Sequence, residues 1–333
     1  MKVSVIIPVY NKAAFVGEAL ESVFQQTHQD LEVICVDDAS TDESLAVLRS
    51  MDDPRLRIIT SPRNQGPGAA ANTALDAATG TYIVRLDADD VALPDRVERQ
   101  VAYMEAHPEV GASGGSVVLF GAEEQCWNYP AHNDDCQAQL LFGVPVSQGA
   151  SILRRSVVEA HGLRYDPAWP RVGEDWLFWT RFSRVSRFGN LREPVIEYRR
   201  GPQNLAHGRD RIADHRLLLR NIFAFFDLPV SDAQLDLHLM ALRMFPAVPD
   251  AARIEAYRQW LDQLLALNEA RGLFPAAAFA ARVRQAWEGL FHFLPARDKG
   301  AAMAHLRLSG WPRANVVFLA KYRINSLIGR VPK

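Results

Sequence analysis

Three aspartates, Asp87, Asp89 and Asp90, follow directly on the largely apolar run TYIVRL at residues 81–86. Carboxylates this close repel one another unless a cation neutralises them. Hard oxygen ligands suit Mg2+ or Mn2+, ions that commonly also bridge substrate phosphates. The competing account is an acidic turn capping the helix that follows, favoured by that helix's dipole. Other polar residues also sit where an apolar run ends: Pro8-Val9-Tyr10-Asn11, Asp37-Asp38, and Asn64 with Gly66. In an open parallel sheet, ligands bind outside the carboxyl ends of the strands, so these groups converge on one edge if the runs are parallel strands.

The pattern predicts that they are. Residues 3–9, 31–37, 55–60 and 80–86 are short runs rich in Val and Ile, and helical apolar spacing fills 12–27, 41–50, 66–78 and 94–107. This βαβα alternation implies parallel strands with both sheet faces covered. Ser40 followed by Glu43 predicts a capping box for the second helix, and Pro94 suits the first turn of the fourth. Beyond residue 110 the alternation loosens. A strand-like 111–121 and a loop region 126–147 precede a strand near 149–153, a helix from about Glu174 to Arg184 and a strand near 193–199. After Gly208 only helices are predicted, at 209–226, 231–243, 250–271, 275–291 and 312–328. The expected organisation is an α/β domain at 1–208, divided into halves 1–108 and 109–208, and a helical region at 209–333.

Composition narrows the class. With 333 residues, 48% hydrophobic and 23% charged, the chain is neither disordered, collagen-like nor a disulfide scaffold. Three cysteines, Cys35, Cys126 and Cys136, lack metal-ligand spacing, and Cys35 lies in an apolar run that predicts a buried thiol. No stretch reaches the roughly 18 apolar residues of a membrane span, and the amino terminus runs into a strand pattern rather than a leader, so a cytoplasmic location is expected. From Lys299 onward there are seven basic residues and no acid. Setting those seven aside from the 37, the first 298 residues carry 30 bases against 39 acids. An acidic body with a basic tail favours a polyanion or an anionic membrane surface as partner, and the body has no basic stripe for nucleic acid.

The segments VSVIIPVYN, VDDAST, N-x-G-x-x-x-A-x-N (Asn64, Gly66, Ala70, Asn72), LDADD followed by PDR, and Gly173-Glu174-Asp175-Trp176 occur in that order. Over residues 1–200 the chain thereby resembles the inverting glycosyltransferases of family 2. The resemblance implies the GT-A fold, a Rossmann-like open twisted sheet with flanking helices, here with a helical C-terminal appendage. It also implies a UDP-sugar donor, held by Pro8, Val9, Tyr10, Asn11, Asp38, Asn64, Gly66 and Asp87. Asp38 would accept a hydrogen bond from uracil N3–H, and the Tyr10 ring would stack. Mn2+ or Mg2+ would sit on Asp89, with Asp87 reaching either the metal through water or the ribose or sugar hydroxyls, and Asp90 would orient the loop. Asp175 becomes the general base, and Glu174 would hold the sugar or stand in as the base. Without the other motifs, the acidic pair reads simply as the first turn of a helix.

Two positions depart from the family pattern. A basic residue often precedes the position of Asn72, where this chain has Ala71. Tyr198-Arg199-Arg200-Gly201 replaces a pattern ending in His, so Arg199, Arg200 or His207 would stand in, with Arg199 the expected donor contact, on a loop that would act as a lid. The reaction implied is transfer of a hexose or N-acetylhexosamine to a glycan or lipid-linked hydroxyl in bacterial surface polysaccharide synthesis. Two alternatives compete. One is a phosphatase of the haloacid-dehalogenase type, because Asp87 to Val91 also fits D-x-D-x-[T/V], although that motif belongs after a first strand. The other is a non-catalytic nucleotide-sugar binding protein. The tail suits either peripheral contact with an anionic membrane through 311–333 or a docked helix with snorkelling cations.

Overall fold

The computed structural model of the chain describes residues 1–121, 125–169, 172–201 and 210–327. The chain divides into two compact units: Met1–Leu140 with Val144–Arg209, and Leu141–Gly143 with Asp210–Lys333.

The first unit is built on one sheet of β1 (Val3–Val9), β2 (Leu31–Asp37), β3 (Leu56–Thr60), β4 (Tyr82–Arg85), β5 (Val91–Ala92), β6 (Val110–Gly121), β7 (Gln125–Trp127), β8 (Ile152–Arg154) and β9 (Arg187–Arg200). The order is β3-β2-β1-β4-β8-β6-β9-β5, with β7 on β6. Pairs β1–β2, β2–β3, β1–β4 and β6–β9 are parallel, whereas β5, β7 and β8 pair antiparallel. Helices α1 (Val16–Phe24), α2 (Ser44–Ser50), α3 (Pro67–Ala77), α4 (Arg96–Ala106), α5 (Asn133–Gln139), α6 (Arg155–Ala160) and α7 (Glu174–Phe182) complete the unit.

The first four strands are parallel, as their continuous Val/Ile runs require: β1 is buried along nearly its whole length. One face packs Val5, Ile7 and Val9 among Val16, Leu20 and Val33. Each such side chain contributes about 1.5–3 kcal/mol when fully buried, so a register slip would forfeit many of these at once. The register Val9↔Asp37 sets the ends of β1 and β2 side by side, and Ile6↔Arg85 places the end of β4 three residues back from that of β1. That alignment is what brings the polar strand ends to one edge.

Element boundaries differ from the sequence expectation in physical detail. No capping box forms at Ser40 and Glu43. Asp42 accepts from the Ser44 N–H instead (2.9 Å), and the Ser40 hydroxyl accepts from Asn11 N–H (3.1 Å). Pro94 lies two residues before α4, where its carbonyl accepts from Thr27 N–H. The region 126–147 contains α5, residues 155–160 form α6, and the strand expected at 193–199 begins at Arg187, pairing with β6 through three register shifts. Those shifts erase the period-2 signal. Cys35 and Cys136 are buried thiols, and Cys126 is exposed.

The second unit is helical: α8 (Arg211–Phe225), α9 (Asp232–His238), α10 (Ala251–Arg271), α11 (Ala276–Leu290), α12 (Lys299–Leu308) and α13 (Arg313–Leu327). The sequence reading omitted α12, whose Ala-rich buried face gives a weak apolar pattern. Side-chain caps at Asp210, Ser231, Asp250 and Asp298 start four of the helices. His238, fully buried, bonds the Leu141 carbonyl through Nε2 (2.6 Å) and accepts from Trp260 Nε1 at Nδ1 (3.2 Å). Burial pushes its pKa down to about 4, so it stays neutral. Among the described residues no helix is long and apolar enough to cross a membrane.

Gly80, two residues before β4, lies against the start of β1. A Cβ built there would lie 2.6 Å from Ser4 N and 2.8 Å from Lys2 O, both main-chain atoms that cannot yield. Gly80→Ala is therefore expected to cost about 1–3 kcal/mol in thermal denaturation. Gly17→Ala in α1, where the nearest atom is a Val47 methyl at 3.7 Å, should instead be neutral or stabilising by up to about 1 kcal/mol.

Candidate active site

The loops after β1, β2 and β3 are tied together by side chains from each. Asn11, in the left-handed region at φ 52°, accepts at Oδ1 from Thr41 N–H (2.8 Å). Asp38 N–H donates to the Val9 carbonyl (2.8 Å). The Asp38 carboxylate accepts from the main-chain N–H groups of Gln65 (3.0 Å) and Gly66 (2.8 Å), and Asn64 Nδ2 donates back to the Asp38 carbonyl (3.3 Å). Gly66 opens α3 at φ 94°, a conformation that a side chain would strain. Two carboxylate oxygens hold four lone-pair sites, so Asp38 keeps acceptor capacity on its cavity side.

After β4 the three aspartates are each engaged differently. Asp89 Oδ2 pairs with Lys12 Nζ at 2.6 Å, and Asp87 Oδ1 lies 3.3 Å from Arg85 Nη2. Asp90 Oδ1 accepts from Arg199 N–H (3.0 Å), while its Oδ2 is buried without a hydrogen-bond partner. A Cβ at Gly149 would sit 3.2 Å from Asp87 Oδ2 and 3.3 Å from Asp90 Oδ2, so a side chain there would crowd both carboxylates. Burial raises the pKa of Asp90 well above the usual range, and the charges of Asp87 and Asp89 add to it. Burial also raises Asp89, against the opposing pull of Lys12.

Gly173, at φ 85°, turns the chain into α7, whose first two residues are Glu174 and Asp175. The Asp175 carboxylate accepts from Trp176 N–H (2.8 Å). Each keeps some surface toward the cavity but is otherwise enclosed by protein. Burial raises both pKa values, and the repulsion of Asp175 raises Glu174 further, so the pair resists carrying two charges. Arg85, fully buried and stacked on the Tyr165 ring at 5.3 Å, carries the opposing charge for Asp87 and Glu174 alike. With its amide oxygen toward the guanidinium, Gln148 accepts from Arg85 Nε (3.0 Å).

These groups line one cavity of about 600 Å3. It brings together Pro8, Val9, Tyr10, Asn11, Asp38, Asn64, Gly66, Asp87, Asp89, Glu174 and Asp175. Among the described residues no cluster of three or more His, Cys, Asp or Glu forms a cage for a metal. Asp87 and Asp89 on one wall still offer two hard oxygen donors, and an orphaned carboxylate oxygen of Asp90 lies beside Asp87. That donor set fits Mg2+ or Mn2+ completing its shell with water and substrate phosphate.

A family model described as glycosyl transferase family 2 matches residues 4–162. The amylovoran biosynthesis glycosyltransferase AmsE of Erwinia amylovora is 31% identical over 205 residues, covering 60% of this chain and 76% of AmsE. The chain belongs to glycosyltransferase family 2. A glycosyltransferase of Haemophilus influenzae is 32% identical over 212 residues, 59% of this chain and 65% of that relative, so the chain spans just under two thirds of its length. The crystal structure of Staphylococcus aureus TarS 1–349 in complex with UDP-GlcNAc aligns with a TM-score of 0.59 at 18% identity, covering 98% of this chain and 92% of that one, and shows a shared fold.

Arg199 differs from its expected place. It does not line the cavity of this family 2 chain. Its guanidinium stacks between Phe15 (5.0 Å) and Phe120 (4.4 Å), pairs with Glu18 and donates to the Asp89 carbonyl (3.0 Å), bracing the acidic loop from behind. Asn72 bonds both main-chain groups of Tyr165 at 2.8 Å, a packing role. His207 lies outside the described residues. Sequence reasoning passed over Lys12, Arg85 and Gln148. For Arg85 a signal existed: a charge inside an apolar strand, two residues before Asp87 and so on the same side of the strand. Lys12 and Gln148 carry none.

The bonds from Asp38 to loop 64–66 give a direct check. Asp38→Ala should speed amide hydrogen exchange at Gln65 and Gly66 by tenfold or more, about 1.4 kcal/mol, while amides of β1 keep their protection.

Proposed function

We propose that the chain transfers a hexose or N-acetylhexosamine from a UDP-sugar to a hydroxyl of a glycan or lipid-linked acceptor, with inversion at the anomeric carbon. One observation carries this reading: acids separated by more than 80 residues, Asp87 and Asp89 on one side and Glu174 and Asp175 on the other, line the same cavity with Asp38. The UDP-GlcNAc complex of TarS and the amylovoran biosynthesis named for AmsE support the donor class and the setting.

The residues divide the work. Asp38 and Tyr10 would take the base, Asp38 accepting from a ring N–H that uracil has and cytosine lacks. Asn64 and Gly66 let the main chain approach the nucleotide. A divalent ion on Asp87 and Asp89, when bound, would neutralise the charge that develops on the departing diphosphate. Asp175 removes the acceptor proton as the acceptor oxygen bonds to the anomeric carbon and the bond to the diphosphate breaks. A single displacement needs no covalent intermediate. The haloacid-dehalogenase reading requires Asp87 as nucleophile, and the salt bridge to Arg85 ties up one of its oxygens.

Because Asp175 acts deprotonated and its pKa is raised, transfer should fall as pH drops through a range above the ordinary carboxylate value near 4. Asp175→Asn should lower kcat by about 10²–10⁴-fold while calorimetry with UDP and Mn2+ gives unchanged affinity. Turnover retained by this variant would move the base to Glu174. A product with retained anomeric configuration by NMR would overturn the single displacement.

In α13, Phe318 packs on Phe291 (5.9 Å) and His292 (4.7 Å), so the helix is docked. Its opposite face nevertheless exposes Val316, Val317 and Ile324 beside Arg313, Lys321 and Arg323, with no acid after Lys299. At 100° per residue the three aliphatics fall within one 100° arc, with Arg313 inside it and Arg323 and Lys321 at its edges. This is the arrangement of a helix resting on an anionic bilayer, where a lipid-linked acceptor would be met. The chain should co-sediment with phosphatidylglycerol vesicles, less with phosphatidylcholine alone, and Val317→Glu/Ile324→Glu should abolish binding. Binding retained by that double variant, or equal on both lipids, would remove the membrane contact.

A further inference from the structure

Among the described residues, Lys12 and Arg85 are the cations that line the cavity. Arg85 is fixed at the base of the site by Tyr165, Gln148 and Asp87. Lys12 is a compact charge on a flexible four-carbon stem, and it lies 2.6 Å from Asp89 Oδ2. The pair is largely shielded from water, with 18% of the Lys12 side chain and 9% of the Asp89 side chain exposed, so it is screened far less than a surface pair.

We propose that Lys12 is a resident counter-ion which occupies Asp89 in the unloaded site and passes to the donor diphosphate when a divalent ion takes its place. The inference rests on the donor-site reading above and assigns Lys12 a positioning role that reading does not contain. Asp89 Oδ2 cannot serve a divalent ion and hold an ammonium at 2.6 Å without placing two cations in contact. The ion therefore displaces Lys12, and the displaced ammonium finds two negative phosphates within the same cavity. Lys12 thus opposes metal uptake by the empty site and favours nucleotide uptake by the metal-loaded one. Linkage makes this a coupling: UDP and Mn2+ each bind more tightly when the other is present.

Removing the ammonium should move two affinities in opposite directions. In Lys12→Met, Mn2+ binding without nucleotide, read from loss of the free-ion EPR signal, should tighten roughly fivefold. UDP affinity at saturating Mn2+, read by calorimetry, should weaken by a similar factor, shrinking the coupling between the ligands. Lys12→Arg, which keeps a cation, should stay close to the parent chain in the first titration. Lys12→Gln repeats the test if methionine disturbs folding. Mn2+ affinity that is unchanged or weaker in Lys12→Met, or UDP affinity that is unchanged, overturns the counter-ion role. A parent chain that takes up neither UDP nor Mn2+ overturns the donor-site reading instead, and this inference with it.

Discussion

The site depends on holding four carboxylates, Asp87, Asp89, Glu174 and Asp175, around one partly desolvated cavity, with a fifth, Asp90, buried in the same loop as the first two. Mutual repulsion and loss of water both oppose this. The fold answers with different partners: Lys12 for Asp89, Arg85 for Asp87 and Glu174, and main-chain N–H groups for Asp90 and Asp175. Asp90 Oδ2 is left without a partner, and the two acids of α7 resist full ionisation. A site built this way is short of positive charge. Binding a divalent ion together with a diphosphate would add a cation next to the acids and an anion next to Lys12, which relieves the imbalance on both sides.

Arg85 is central because it is buried and engaged on several sides, by Tyr165, Asp87 and Gln148. It sits at the end of β4, inside the sheet, and its main-chain carbonyl accepts from a second buried arginine, Arg96 of α4 (2.6 Å). Arg96 also bonds Gln100 (3.0 Å), which reaches the Ala150 carbonyl (2.8 Å) beside Gly149. A chain of hydrogen bonds thus runs from α4 under the acidic loop to the segment that faces Asp87. Arg199 braces the same loop from the other side. The residues that touch the cavity are few, and those that aim them are mostly out of its reach.

Much of this was legible in the linear order of residues. The parallel run β1 to β4, the acids after β4 and the motif-bearing loops follow from short-range regularities: apolar runs of strand length, turn residues between them, and residue types whose chemistry is local. The second half of the first unit was less legible. β6 and β9 pair through bulges that break the period-2 pattern, and α5 and α6 are single short helices whose amphipathic signal fits within two turns. The mixed pairing of β5, β7 and β8 is a long-range choice that no local pattern encodes.

The amino-acid order by itself determined the α/β class of the first unit, the edge at which its polar loops gather, and the acidic groups that could bind an ion or move a proton. Those properties depend on spacing along the chain and on side-chain chemistry, both present before folding. Tertiary structure alone decided which charge faces which. It paired Lys12 with Asp89 across 77 residues, withdrew Arg199 from the cavity to brace a loop, set Arg85 between two acidic groups, and turned one face of α13 inward while leaving the other exposed. Electrostatic partnership depends on distance and burial, and for residues far apart in sequence neither exists until the chain has packed.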